Sequence, residues 1–142
     1  MTTPDSSRDH ARTRVGSASP LEPRIGFSRA VRVGDHVAVA GTAPIADDGT
    51  TAAPGDVYGQ TLRCLEIARR ALAGADAGLG DVVRTRIMLT DIDTWEEAAR
   101  AHGEWFAEVR PVTTFVEVSR FIDPAWLVEI EIDAITRPAE AT

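Results

Sequence analysis

Arg110-Pro-Val-Thr-Thr-Phe-Val-Glu-Val-Ser-Arg120, then Phe121-Ile-Asp-Pro-Ala125, then Trp126-Leu-Val-Glu-Ile-Glu-Ile-Asp-Ala-Ile135 is the stretch that decides the fold. Its last segment alternates strictly, with Val128, Ile130, Ile132 and Ala134 set against Glu129, Glu131 and Asp133. A period of two sends alternate side chains to opposite faces of a sheet, so this strand is predicted to have one apolar and one acidic face. The first segment divides in the same way. Thr113, Phe115, Glu117 and Ser119 fall on one side, and Thr114, Val116, Val118 and Arg120 on the other. Asp123-Pro124 is a turn signal between the two. The reading expects a hairpin, covered by everything upstream.

Working outward, Asp81 to Leu89 is a third strand. Val83, Thr85, Ile87 and Leu89 are expected on one face, and Arg84, Arg86 and Met88 on the other. Before it lies a helix opened by Asp56 as N-cap, with Leu62, Leu65, Ala68 and Leu72 at helical spacing. After it comes a second helix, Trp95 to about Val109, with Thr94 as N-cap and Glu97 at capping-box spacing. Arg29 to Gly41 reads as a hairpin turning at Gly34-Asp35. The order is therefore β-β-α-β-α-β-β. Two helices cannot cover both faces of such a sheet. They are expected on one face, leaving the other, with Arg84, Arg86, Glu129, Glu131 and Asp133, to solvent or another subunit. Residues 1–20, poor in large apolar groups, read as a disordered N-terminal tail. Residues 21–138 form a single domain, and 139–142 a short C-terminal tail.

The net charge of -7 argues against a nucleic-acid partner, since phosphate binding needs a basic patch. All 15 basic residues are arginine, which excludes a Schiff-base or P-loop lysine. The one cysteine, Cys64, allows no internal disulfide and reads as a small core residue on the first helix. No second histidine or cysteine stands at ligand spacing to His102, so no metal site is expected. With no long apolar run and no signal-like segment, the sequence predicts a cytoplasmic protein without membrane partners.

Several segments together are similar to the Rid (YjgF-like) family, the reactive intermediate deaminases. They are Val33-Gly-Asp-His-Val-Ala-Val-Ala-Gly-Thr-Ala-Pro44, Gln60-Thr-Leu-Arg-Cys-Leu65, Gly80-Asp-Val-Val-Arg-Thr-Arg-Ile-Met-Leu-Thr-Asp91, Phe106 to Pro111, and Val128 to Ala134. The resemblance implies an α+β, chorismate-mutase-like fold with two helices on one face of a mixed sheet. It also implies a homotrimer with small-molecule clefts between subunits, and cofactor-free hydrolysis of enamines and imines.

Carried over by position, Glu129 matches the acidic residue proposed to position or activate water, and Gly41 matches a glycine whose backbone lines the pocket. Phe27 stands where a tyrosine is typical, and Thr113 where deaminating members have the arginine that holds the substrate carboxylate. Loss of that charge-assisted bond implies a less cationic pocket and a larger, neutral or differently oriented substrate. Two further residues are candidates on their own chemistry. Arg86 could replace the cation from the face that carries Glu129, or merely pair with Glu131 or Asp133. His102 titrates near neutrality and suits a proton shuttle. The sequence reading is a small-molecule enzyme acting on an enamine, imine or similarly labile intermediate. Its alternatives are a specialised tautomerase, decarboxylase or cyclase in the same cleft, or a ligand-binding trimer without chemistry.

Overall fold

The computed structural model describes residues 12–17 and 19–137. Six strands form one sheet: β1 (Arg12–Val15), β2 (Ala30–Val33), β3 (His36–Thr42), β4 (Val82–Leu89), β5 (Val112–Glu117) and β6 (Val128–Ile135). Three helices accompany them, α1 (Leu21–Ile25), α2 (Val57–Gly74) and α3 (Trp95–Phe106). The strand order is β1-β2-β3-β6-β4-β5. All neighbours are antiparallel except β4 and β5, which are parallel.

This order corrects the expected terminal hairpin. β5 and β6 do not pair; β4 lies between them. β4, α3 and β5 form a βαβ unit, in which the helix carries the chain back so that the next strand starts at the same end. Residues 118–127 then pass over the end of β4, and β6 enters antiparallel between β3 and β4. The strictly alternating segment is thus an inner strand with one face under the helices. Val128, Ile130, Ile132 and Ala134 are buried, whereas Glu129, Glu131 and Asp133 are only partly covered.

The helix-covered face holds the core. Val37, Val39, Ile87 and Leu89 of the sheet pack with Cys64, Leu65 and Leu72 of α2 and Ala98 and Phe106 of α3. Burial of each large side chain contributes about 1.5–3 kcal/mol relative to exposure. Cys64 is fully buried, and burial holds its thiol well above the usual pKa, which leaves it protonated and unreactive. Among the described residues no helix is long and apolar enough to cross a membrane.

Three local expectations are revised. Residues 12–15, placed by the sequence in a disordered tail, form edge strand β1, with Arg12 opposite Val33 and Val15 opposite Ala30. Residues 1–11 and the tail expected at 139–142 lie outside the described residues. A register shift between Val82 and Arg84 puts Val82 in the core and leaves Val83 40% exposed, where simple alternation buries Val83. Asp56 does cap α2, accepting from the Gly59 amide at 3.1 Å. Thr94 does not cap α3. Its hydroxyl donates to the Asp91 carbonyl, and Asp91 instead caps the preceding turn through the Asp93 amide.

Candidate functional site

Two of the residues singled out from sequence, Gly41 and Glu129, come together on the uncovered face. The cause is a bulge in β3. Val39 pairs with Ile132 and Thr42 with Ile130, so β3 takes three steps (39 to 42) where β6 takes two (132 to 130). In a regular ladder Gly41 would follow Val37 and Val39 onto the core face. The extra residue sends Thr42 inward instead, fully buried, and turns Gly41 toward Glu129. A Cβ at position 41 would sit 3.4 Å from Glu129 Oε1, an ordinary van der Waals contact, so the glycine backbone lies beside the carboxylate. Beside it a concavity of about 350 Å3 opens over Ser28, Val31, Ala38, Gly41, Glu131 and Asp133.

Arg29 completes this cluster, and the sequence reading did not single it out. Its Nη2 donates to the Gly41 carbonyl at 2.8 Å, and its guanidinium lies 5.7 Å from the centre of the Phe27 ring. Its Nε is buried without a hydrogen-bond partner among the described residues. The hairpin register contained the signal. From the Gly34-Asp35 turn, Val33 pairs with His36 and Ala30 with Val39. One more step puts Arg29 opposite Ala40, next to Gly41, and the Ala40 amide does donate to the Arg29 carbonyl.

The charges in the cluster are interdependent. Burial raises the Glu129 carboxyl above its ordinary pKa; Arg29 opposes this and Glu131 adds to it. Burial lowers the Arg29 pKa, opposed by the carboxylates of Glu22 and Glu129. Glu22 is itself buried and accepts from the Ser17 amide and hydroxyl, so it fixes the segment leading into α1. A partly buried carboxyl with a raised pKa holds its proton more readily than a free one, which suits acid–base work on a water.

Thr113 and His102 lie elsewhere in the protomer. Thr113 is paired in register with Thr85 on the helix-covered side, whereas Glu129, opposite Met88, faces away from it. Thr85 is fully buried, and its Oγ1 is 2.8 Å from both His102 Nε2 and Thr113 Oγ1. Thr113 also reaches the Pro111 carbonyl at 3.1 Å. That carbonyl can only accept, so Thr113 donates to it, Thr85 donates to Thr113, and His102 donates to Thr85 from Nε2. This arrangement makes all three bonds and assigns the neutral ring the Nε2–H tautomer. Burial lowers the His102 pKa, which favours that neutral form.

Arg86 shares the Glu129 face, but it pairs across strands with Glu131 at 3.8 Å, while Arg84 stands 3.9 Å from Asp133. Both pairs are half exposed. Among the described residues, no three His, Cys, Asp or Glu side chains are grouped to hold a metal ion.

A half-buried acid beside a bulged glycine, on the bare face of a helix-backed mixed sheet, defines a recognisable class of small α+β protein. The family described as endoribonuclease L-PSP matches residues 17–136, and the chain belongs to this family, which includes the YjgF and RutC proteins. An uncharacterized protein of Streptomyces coelicolor is 43% identical over 121 residues, covering 85% of this chain and 90% of the relative. The 3-aminoacrylate deaminase RutC of Acinetobacter baylyi is 30% identical over 81% of this chain and 88% of its own length. Among solved structures, a member of the YjgF/YER057c/UK114 family from Mycobacterium tuberculosis is 46% identical. It superposes with a TM-score of 0.80 over 88% of this chain and 99% of that one.

Proposed function

We propose that the protein is a small-molecule enzyme acting on an enamine, imine or similarly labile intermediate by proton transfer through Glu129. The observation that carries this reading is the Glu129 carboxyl itself, partly buried, raised in pKa and set against the Gly41 backbone. Relatives named as deaminases support it. They are the Acinetobacter RutC and the 2-iminobutanoate/2-iminopropanoate deaminase of Salmonella typhimurium, 29% identical over 77% of this chain.

Protonated Glu129 would give its proton to the carbon of an enamine, forming the iminium ion. The carboxylate would then take a proton from water as the oxygen adds to the C=N carbon, giving a neutral adduct. Glu129 would pass that proton to nitrogen, and collapse of the adduct, with its hydroxyl proton returning to Glu129, would release ammonia and leave a carbonyl compound. The balance is imine plus water giving carbonyl plus ammonia, with no cofactor in the equation.

The site would be completed in a homotrimer, between neighbouring subunits. In its favour are the bare sheet face and the exposed Val112, Val116 and Ile135 at 60%, 36% and 51%. It would also bring the Thr113–His102 cluster of one subunit toward Glu129 of the next. With Thr113 in place of a carboxylate-binding arginine, that end of the cleft would offer neutral hydroxyl and imidazole groups. Such groups favour a substrate bearing a neutral polar group there over a carboxylate. The same threonine favours a second reading, a ligand-binding trimer without turnover. A ribonuclease reading gains nothing from a net charge of -7.

The test is imine lifetime. An amino-acid oxidase generates imines from a panel of neutral and apolar amino acids, semicarbazide trapping reports their survival, and wild type runs beside Glu129→Gln. Wild type should shorten the lifetime and the variant should not. If neither acts on any imine, the deaminase reading fails and the second reading stands.

A further inference from the structure

Arg29 and Glu129 meet through the backbone of Gly41, at the edge of the concavity. We infer that Arg29 is a positioning residue for Glu129: it holds the bulged Gly41 carbonyl in place and supplies the fixed positive charge against which the carboxylate ionises. The inference rests on the proposed role of Glu129 for its functional meaning, but the electrostatic link can be tested without any substrate.

The geometry supports it in three ways. First, one guanidinium nitrogen is committed to the Gly41 carbonyl at 2.8 Å, and a Cβ built at position 41 would lie 3.4 Å from Glu129 Oε1, so the carboxylate lies beside this backbone. Moving Arg29 therefore moves the backbone against which the carboxylate rests. Second, Arg29 is held in place by its surroundings. Its backbone amide donates to the Val15 carbonyl of β1, its own carbonyl accepts from Ala40, and its guanidinium lies near the Phe27 ring. Third, its Nε is buried and unpartnered among the described residues. An orphaned donor of this kind costs stability, and such costs collect where a group is held for function.

The other charged and titratable groups around Glu129 do not take this role. Glu131 on the same strand is a like charge. Arg86 of β4, the nearest cross-strand arginine on that face, sits opposite Glu131 and is paired with it. Cys64 of α2 is held protonated by burial. Glu22, in the first turn of α1, acts on Arg29 rather than on Glu129 and is already bonded to Ser17. Arg29 is left as the cation that offsets the desolvation of Glu129.

The experiment is a carbon-13 carboxyl titration of Glu129 in wild type, Arg29→Met, Arg29→Gln and Arg29→Lys. Loss of this positive charge is expected to raise the Glu129 midpoint in Met and Gln. Lysine, which keeps the charge, should restore most of the wild-type value. A purely structural arginine would lower stability in all three and leave the midpoint where it was. In wild type, the buried Nε–H of Arg29 should also shift with the same midpoint as Glu129, a readout that needs no variant to fold. A midpoint unchanged in the neutral variants, or an Arg29 Nε signal that ignores Glu129, overturns the inference. A shifted midpoint in a protein that turns over no imine leaves the inference intact and sinks only the proposed reaction.

Discussion

Replacing Gln60 with leucine should cost about 2 kcal/mol of stability, a large effect for a change of similar volume. Gln60 is fully buried on α2. Its Oε1 accepts from the Leu127 amide at 2.8 Å, and its Nε2 donates to the Ala125 carbonyl at 3.0 Å and, more weakly, to Ala53 at 3.4 Å. These bonds tie the crossing 118–127 to the helix layer immediately before β6 begins. Leucine fills the space but leaves the partly buried Leu127 N–H without its partner, while the C=O of Ala125, an exposed residue, turns to water. A buried, unsatisfied backbone group costs roughly 1–3 kcal/mol, and loss of the more exposed bond about 0.5–1.5 kcal/mol. The apolar side chain returns about 1 kcal/mol, because no amide has to be desolvated, and the sum centres on about 2 kcal/mol destabilising. Urea unfolding measures it directly as a drop in midpoint at constant slope. Amide exchange adds a local signature, since the Leu127 N–H should lose its protection far more than amides in β3 or α3. The crossing leads into Val128 and Glu129, so a loosened variant should also lose turnover in the imine assay. A loss below about 1 kcal/mol with Leu127 still protected would show that Gln60 does not anchor the crossing.

Two further predictions concern pH. The Glu129 carboxyl is raised in the folded state, so its contribution to stability is complete below the unfolded value, about 4.3, and is lost as pH rises through the raised one. Glu129→Gln should therefore be more stable than wild type at pH 7, with the advantage vanishing near pH 4; denaturation midpoints across that range decide it, and no gain at pH 7 refutes it. His102 is lowered, so its contribution is present above the unfolded value, about 6.5, and is lost as pH falls through the lowered one. His102→Gln should remove the part of the stability loss that wild type shows between pH 7 and pH 5; identical slopes in the two proteins would place the titrating group elsewhere.

Much of the fold could be read from local pattern because local pattern reports sidedness. The alternation of β6, the cap at Asp56 and the buried Cys64 each follow from a short window in which burial or capping chemistry repeats. Pairing is different in kind. A period of two says which residues share a face but not which strand lies alongside. Asp123-Pro124 therefore suggested a hairpin, although the intervening segment is long enough to pass over β4. β1 was missed for a related reason. Arg12-Thr-Arg-Val15 has almost nothing to bury, and an edge strand of that composition is held mainly by its ladder to β2. Long-range hydrogen bonding of this kind leaves no mark in hydrophobicity.

The candidate site divides along the same line. Arg29 could have been located by counting back from the Gly34-Asp35 turn, because a two-residue turn fixes register and register fixes neighbours. Its partnership with Glu129 could not. Uninterrupted counting puts Gly41 with Val37 and Val39 on the core face, where it would have no access to the acids of β6. Only the extra residue between Val39 and Thr42 turns it outward, and a bulge is invisible to any periodic reading because it is the place where the period fails. The sequence does show a residue without a side chain at the point where the backbone comes beside a carboxylate. Gly41→Ala tests what that opening does. If Gly41 serves only the turn of the strand, alanine should be tolerated without effect on Glu129, since its φ is not in the left-handed range. If it serves Glu129, the new methyl, in van der Waals contact with Oε1 at 3.4 Å, should keep water from the carboxylate and raise its titration midpoint while the core, and hence the unfolding midpoint, changes little.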